Sequence, residues 1–154
     1  MHITLRLALG TLLLAACAQS PVMPPDGKPS RIDATLPVPA AAESLAAPDT
    51  DCSTLQASAR TGCERSKSGG AYSIRAMSPN AVIAWYTRVL PAAGWKVSRE
   101  HTQELARITA SSIAADHGDL VACRGSTWRP ISAVASGEAT TIDIGAPLPI
   151  QDAC

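Results

Sequence analysis

The period of the apolar residues changes twice between positions 72 and 98, and no other feature constrains the fold as tightly. Tyr72, Ile74 and Ala76 alternate with Ser73 and Arg75, the two-residue period of a strand with one buried face. Val82, Trp85, Tyr86 and Val89 then recur at i, i+3, i+4 and i+7, one apolar face of a helix. Ser78 can cap the free amides of its first turn, and Pro79 suits the first helical position, where the missing N–H costs nothing. Pro91 disrupts the pattern and Gly94 can take the left-handed stop. Trp95 and Val97 then alternate with Lys96 and Ser98, a second strand. The heart of the domain is strand, helix, strand, with a right-handed crossover if the strands run parallel in one sheet.

Leu120 to Arg124 and Thr140 to Gly145 read as further strands, with Ile142 and Ile144 on one face and Thr141 and Asp143 on the other. Residues 103–115 fit two patterns: Leu105, Ile108 and Ser112 suit a helix, whereas Ala106, Ile108 and Ala110 suit a strand face. These elements predict an α+β fold, a small mainly antiparallel sheet packed by one or two helices.

The core of such a domain is thin. Of 154 residues 46% are hydrophobic, but alanine makes up much of that share and Phe is absent. The 13 basic side chains balance 13 acidic ones, which excludes a strongly basic nucleic-acid binder. Residues 60–107 hold most of the basic groups, read here as part of a mixed, solvated surface.

Residues 18–50 carry seven of the 12 prolines with no helical or strand period between them. Proline removes backbone donors and favours extended chain, so residues 17–50 are expected to form a semi-rigid tether that makes no ladder. Fully extended, such a tether would reach roughly 100 Å. Ile32, Leu36 and Val38 could serve it as anchors for a partner. The folded domain is expected to span residues 51–154.

The N-terminus has one cationic side chain, Arg6, followed by the apolar run Leu7 to Ala16. A bilayer-spanning helix needs about 20 such residues, so this run is too short and has the layout of a secretory signal. Its end, Leu14-Ala15-Ala16-Cys17, resembles the lipobox of bacterial lipoproteins. The resemblance covers residues 1–17. It implies a signal peptide of residues 1–16, removed before Cys17, and a diacylglyceryl group on the Cys17 thiol. Palmitate or a similar acyl chain on the freed amine would complete the anchor. Ala18 stands where an Asp would retain many lipoproteins in the inner membrane, so the resemblance implies the outer membrane.

A second resemblance lies in residues 85–95. Trp85-Tyr86 followed by Leu90-Pro91-Ala92-Ala93-Gly94-Trp95 is similar to a phrase in small bacterial envelope proteins, an aromatic pair followed by LPxxGW. It implies a small α+β module and no particular activity.

Beyond Cys17, four cysteines remain: Cys52, Cys63, Cys123 and Cys154. An even count in an exported domain implies two disulfides, with three possible pairings. Cys52–Cys63 and Cys123–Cys154 are favoured because short loops close most readily. The first of these requires the chain to turn back between the cysteines, because an unbroken helix would hold them about 16 Å apart. Gly62 is the residue best placed to permit the reversal.

No metal site is expected, because no Cys-x₂₋₄-Cys pair exists and His101 and His117 lack ligand spacing to the cysteines. No cofactor is expected, and there is no nucleophile elbow, zinc-protease helix, phosphate loop or dinucleotide fingerprint. Asp116-His117-Gly118-Asp119 is the one tight cluster of acids and histidine, and reads as a solvated turn. Trp85 and Trp95 are expected in the core. Trp128, in Gly125-Ser126-Thr127-Trp128-Arg129-Pro130, is the aromatic expected to contact a partner.

These readings converge on an envelope protein held in the membrane by lipid on Cys17. Its domain faces the periplasm or the cell surface and is expected to be a non-catalytic binding or structural module with an envelope protein as partner. An immunity or inhibitor lipoprotein acting on a periplasmic toxin or cell-wall hydrolase is the alternative.

Overall fold

The computed structural model describes residues 22–45, 51–68, 70–110, 116–148, 150 and 154. Among the described residues, short strands β1 (Gly27–Pro29), β2 (Pro37–Pro39) and β3 (Glu43–Ser44) come first. A 3₁₀ turn (Cys52–Thr54), α1 (Ala57–Ser68) and β4 (Ala71–Ile74) follow, then α2 (Pro79–Val89), β5 (Lys96–Ser98) and α3 (Arg99–Ala110). The chain then makes the meander β6 (His117–Arg124), β7 (Thr127–Ser136) and β8 (Ala139–Ile144). Strands β3 to β8 form one sheet in the order β3-β4-β8-β7-β6-β5, with every neighbouring pair antiparallel. The fold is α+β, as the sequence pattern predicts.

Because four antiparallel steps separate β4 from β5, these two strands run parallel, with α2 carrying the chain across the strands between them. Ser78 caps α2 with its Oγ accepting from Ala81 N at 3.3 Å, and Pro79 occupies the first turn. Gly94 takes φ +78° beyond the helix, and Trp95 N closes the end on Leu90 O at 2.9 Å. The helix buries Val82, Trp85, Tyr86 and Val89 against Tyr72, Ile74, Leu120, Ala122, Ile131, Ala133, Ile142 and Ile144 of the sheet.

The opposite sheet face carries a smaller cluster of Val121, Cys123 and Trp128, against which Leu105 of α3 packs. Of the ambiguous segment, residues 103–110 are helix within α3, and residues 111–115 lie outside the described residues. Thr102 ties α3 to the sheet, its Oγ1 accepting from Val121 N at 2.9 Å.

The expected tether is not free over residues 22–45. Leu36, Val38 and Ala42 are fully buried in the main core, and Ile32 packs against it. The strap pairs with itself at Gly27↔Pro39, Lys28↔Val38 and Pro29↔Pro37. Ser30 N donates to Leu36 O and Ala40 N to Asp26 O, both at 2.9 Å. The bonds therefore fall at residues 26, 30, 36 and 40, in phase with the Lys28↔Val38 pair. Pro29, Pro37 and Pro39 occupy the alternate register, where no N–H is required. Prolines spaced by two are compatible with a ladder, and that parity is why the stretch folds.

Candidate functional site

Both cysteine pairs are bridged as expected from their spacing. Cys52 and Cys63 lie with Cα atoms 5.7 Å apart, and Cys123 and Cys154 lie 5.6 Å apart. The reversal that permits the first bridge is at Leu55, whose extended backbone (φ −86°, ψ 153°) separates the 3₁₀ turn from α1. Gly62 is not the hinge; it lies within α1. Asp51 caps the 3₁₀ turn through Ser53 N, and Arg60 reaches back to the carbonyls of Ser53 and Leu55, holding the stapled hairpin closed. The second bridge joins β6 to Cys154, and Lys96 Nζ donates to Cys154 O at 3.3 Å. Cys17 and the whole leader lie outside the described residues.

Trp128 is not an exposed contact. It is the second residue of β7, pairs with Cys123 and is only 4% exposed. His101 of α3 covers its ring, with centroids 4.6 Å apart. The loop ends at Ser126, four residues before Pro130, because Gly125, at φ +59°, makes the positive-φ step of a two-residue β6–β7 turn.

The Asp116–Asp119 cluster is likewise not a solvated turn, since residues 117–119 begin β6. Gly118 faces α2, where a Cβ would stand 2.7 Å from Ile83 Cγ1, so glycine here serves close helix packing. Asp119 faces the other way and is buried, its Oδ1 accepting from Ser132 Oγ at 2.6 Å. His117 Nε2 lies 3.7 Å from Asp119 Oδ2. The serine is bonded to the carboxylate, which gives no serine–histidine nucleophile pair. Ser98 and His101 are also close, at 2.8 Å, but Ser98 Oγ accepts from His101 N and so begins α3. Among the described residues no three His, Cys, Asp or Glu side chains are grouped to hold a metal ion.

A recess that sequence reasoning missed lies where α1 approaches the ends of β7 and β8. It has a volume of about 800 Å³ and is lined by Ile32, Pro130, Ile144 and Leu148 with Glu64 and Arg129. Arg129 Nη1 donates to Gly145 O at 3.1 Å, while its buried Nε has no partner among the described residues. Gly145 permits the close approach, because a Cβ there would stand 2.7 Å from Pro130 Cγ. Its walls come from four separate stretches of chain, so no local motif marks it. An apolar recess with one cation and one anion suits an uncharged or zwitterionic ligand, or a peptide segment with a small apolar side chain.

No family model matches the chain, and neither the curated proteins nor the solved structures contain a match.

Proposed function

We propose that this chain is an exported bacterial lipoprotein, anchored to the outer membrane through Cys17, whose disulfide-stapled domain is a non-catalytic binding module in the periplasm. The observation that carries this reading is the use of the cysteines. Cys52, Cys63, Cys123 and Cys154 are consumed in pairs, which leaves Cys17 of the chain's five for thioether chemistry at the end of an apolar leader. Disulfides persist in exported compartments and are rare in the cytosol. Two acyl chains or more give stable anchoring at about 0.8 kcal/mol per buried CH₂, so no spanning helix is needed. No helix among the described residues is long and apolar enough to cross a membrane.

The binding role is supported by the recess at Arg129 and Pro130, and the non-catalytic role by the structural use of the hydroxyls. Ser98 caps a helix, Ser132 bonds Asp119, and Thr140 Oγ1 donates to Met77 O at 2.6 Å. Growth of expressing cells with an alkyne fatty acid tests the anchor. The wild type should take up label and sediment with membranes, whereas Cys17→Ser should take up none and be released or left unprocessed. An unlabelled wild type overturns the reading.

A further inference from the structure

We infer that the domain is held directly against the bilayer, with the end of α2 and the β6–β7 turn as its lipid-facing surface. This inference rests on the anchoring of Cys17 proposed above and deepens it.

The strap is fixed to the domain from its first described residue. Val22 N donates to Ala92 O at 3.2 Å. Asp26 Oδ2 accepts from Trp85 Nε1 at 2.9 Å and from Arg88 at 2.6 Å, and Trp95 Nε1 donates to Thr35 O at 3.0 Å. Leu36 and Val38 then enter the core. Peeling the strap away would expose both apolar side chains and break these bonds, so the chain is fixed to the domain at Val22.

Five residue steps separate Cys17 from Val22. Fully extended chain spans at most about 3.6 Å per residue, so the leash is no longer than about 18 Å. The headgroup region of one leaflet occupies roughly 5–7 Å of that, since a bilayer of about 40–45 Å has a hydrocarbon core of about 30 Å. Only a thin water layer fits between the lipid headgroups and Ala92.

The topology says which end this is. Lys96 pairs with Cys123, so Ala92, Gly94 and the start of β5 share an end with the turn at Gly125. The turn at Gly137 and Glu138 lies at the other end of β7, whose ten residues span about 33 Å. The surface chemistry agrees. Val22 is 66% exposed, more than Leu45 or Ile108, and Pro91 and Ala92 are exposed beside it. Exposed Lys96 adds a cation at headgroup level. A small apolar tip with a nearby cation suits the phosphate–acyl boundary of a lipid surface. The recess at Arg129 must then meet its ligand within one domain's length of the membrane.

The test uses mature lipidated protein in nanodiscs of phosphatidylethanolamine and phosphatidylglycerol, with a fraction of gadolinium-chelating headgroups. Paramagnetic broadening falls steeply with distance, so the amides of Val22, Ala92, Gly94 and Gly125 should relax several-fold faster than those of Gly137 and Glu138. Equal broadening at both ends, or stronger broadening at Gly137, overturns the inference. Intact mass of the same sample separates the two failures. Protein without a diacylglyceryl group overturns the anchoring reading and this inference together; lipidated protein with uniform broadening overturns this inference alone.

Discussion

Asp26 Oδ2 accepts a hydrogen bond from the indole N–H of Trp85, 59 residues further along the chain, at 2.9 Å. The same oxygen receives Arg88 at 2.6 Å. One carboxylate in the strap thus holds both the edge of the core and the outer side of α2. It marks the place where a proline-rich leader becomes part of a folded domain.

That contact should be visible in acid. The Arg88 guanidinium beside Asp26, and then the Trp85 N–H, hold its carboxyl below the usual value of 3.8. A carboxyl whose folded pKa is depressed contributes stability above its unfolded pKa and loses it as pH falls through the folded one. Wild type should therefore exceed Asp26→Asn in stability by a constant margin from about pH 5 to pH 8, and that margin should begin to shrink near pH 4 and vanish once pH has fallen through the depressed folded value. Urea unfolding at a series of pH values measures this; a margin that persists in acid contradicts it.

Trp85 lies on the buried face of α2 and is 7% exposed. Its ring meets Tyr86 edge-on with centroids 5.0 Å apart. Trp85→Ala should cost about 3–5 kcal/mol, the range for truncating a large aromatic in a core. Denaturant titration decides it, and a change near zero would mean that the strap does not close over this residue.

Tyr86 is fully buried, and its hydroxyl has no hydrogen-bond partner among the described residues. Burial pushes its phenol well above the usual value of 10, with a smaller contribution from Tyr72. A raised pKa means that the unfolded chain ionises first, so stability is complete below about pH 10 and falls above it. Tyr86→Phe removes an unpaired buried hydroxyl at almost constant shape. It should be neutral or stabilising by up to about 1 kcal/mol, and should blunt the alkaline loss. Destabilisation beyond about 1 kcal/mol would show that the hydroxyl is bonded.

The two bridges should differ in reach. Cys123–Cys154 closes a separation of 31 residues onto β6, which is paired on both sides, so Cys123→Ala with Cys154→Ala should cost about 2–4 kcal/mol globally. Cys52–Cys63 staples α1 to the 3₁₀ turn beside it, and α1 packs chiefly on that turn. Replacing both cysteines there should raise amide exchange in residues 51–68 and leave β6 to β8 protected. Hydrogen exchange read by mass spectrometry distinguishes local from global loss.

The elements that were legible in the sequence are those whose signals are local. Ser78, Pro79 and Gly94 punctuate α2 with side-chain and backbone chemistry that acts within a few residues, and the period of 3.6 between them needs no partner to be read. Ile142 and Ile144 likewise announce their face by alternation alone. The strap was illegible because proline density masks parity: Pro29, Pro37 and Pro39 lie in a single register, and the donors that matter belong to the residues between and beyond them. Trp128 was misplaced because a tight turn needs only two residues, so turn-like composition ran on into the strand. The recess at Arg129 left no local signal at all, since it exists only where four distant stretches meet.

The central claim is that the mature chain begins at a lipidated Cys17. Top-down mass spectrometry of protein extracted from membranes tests it most directly. The account predicts a chain starting at Cys17, carrying a diacylglyceryl thioether and an acylated amine, and lacking four further hydrogens for the two disulfides. A chain that starts at Met1, or one that carries an unmodified Cys17 thiol, would contradict it.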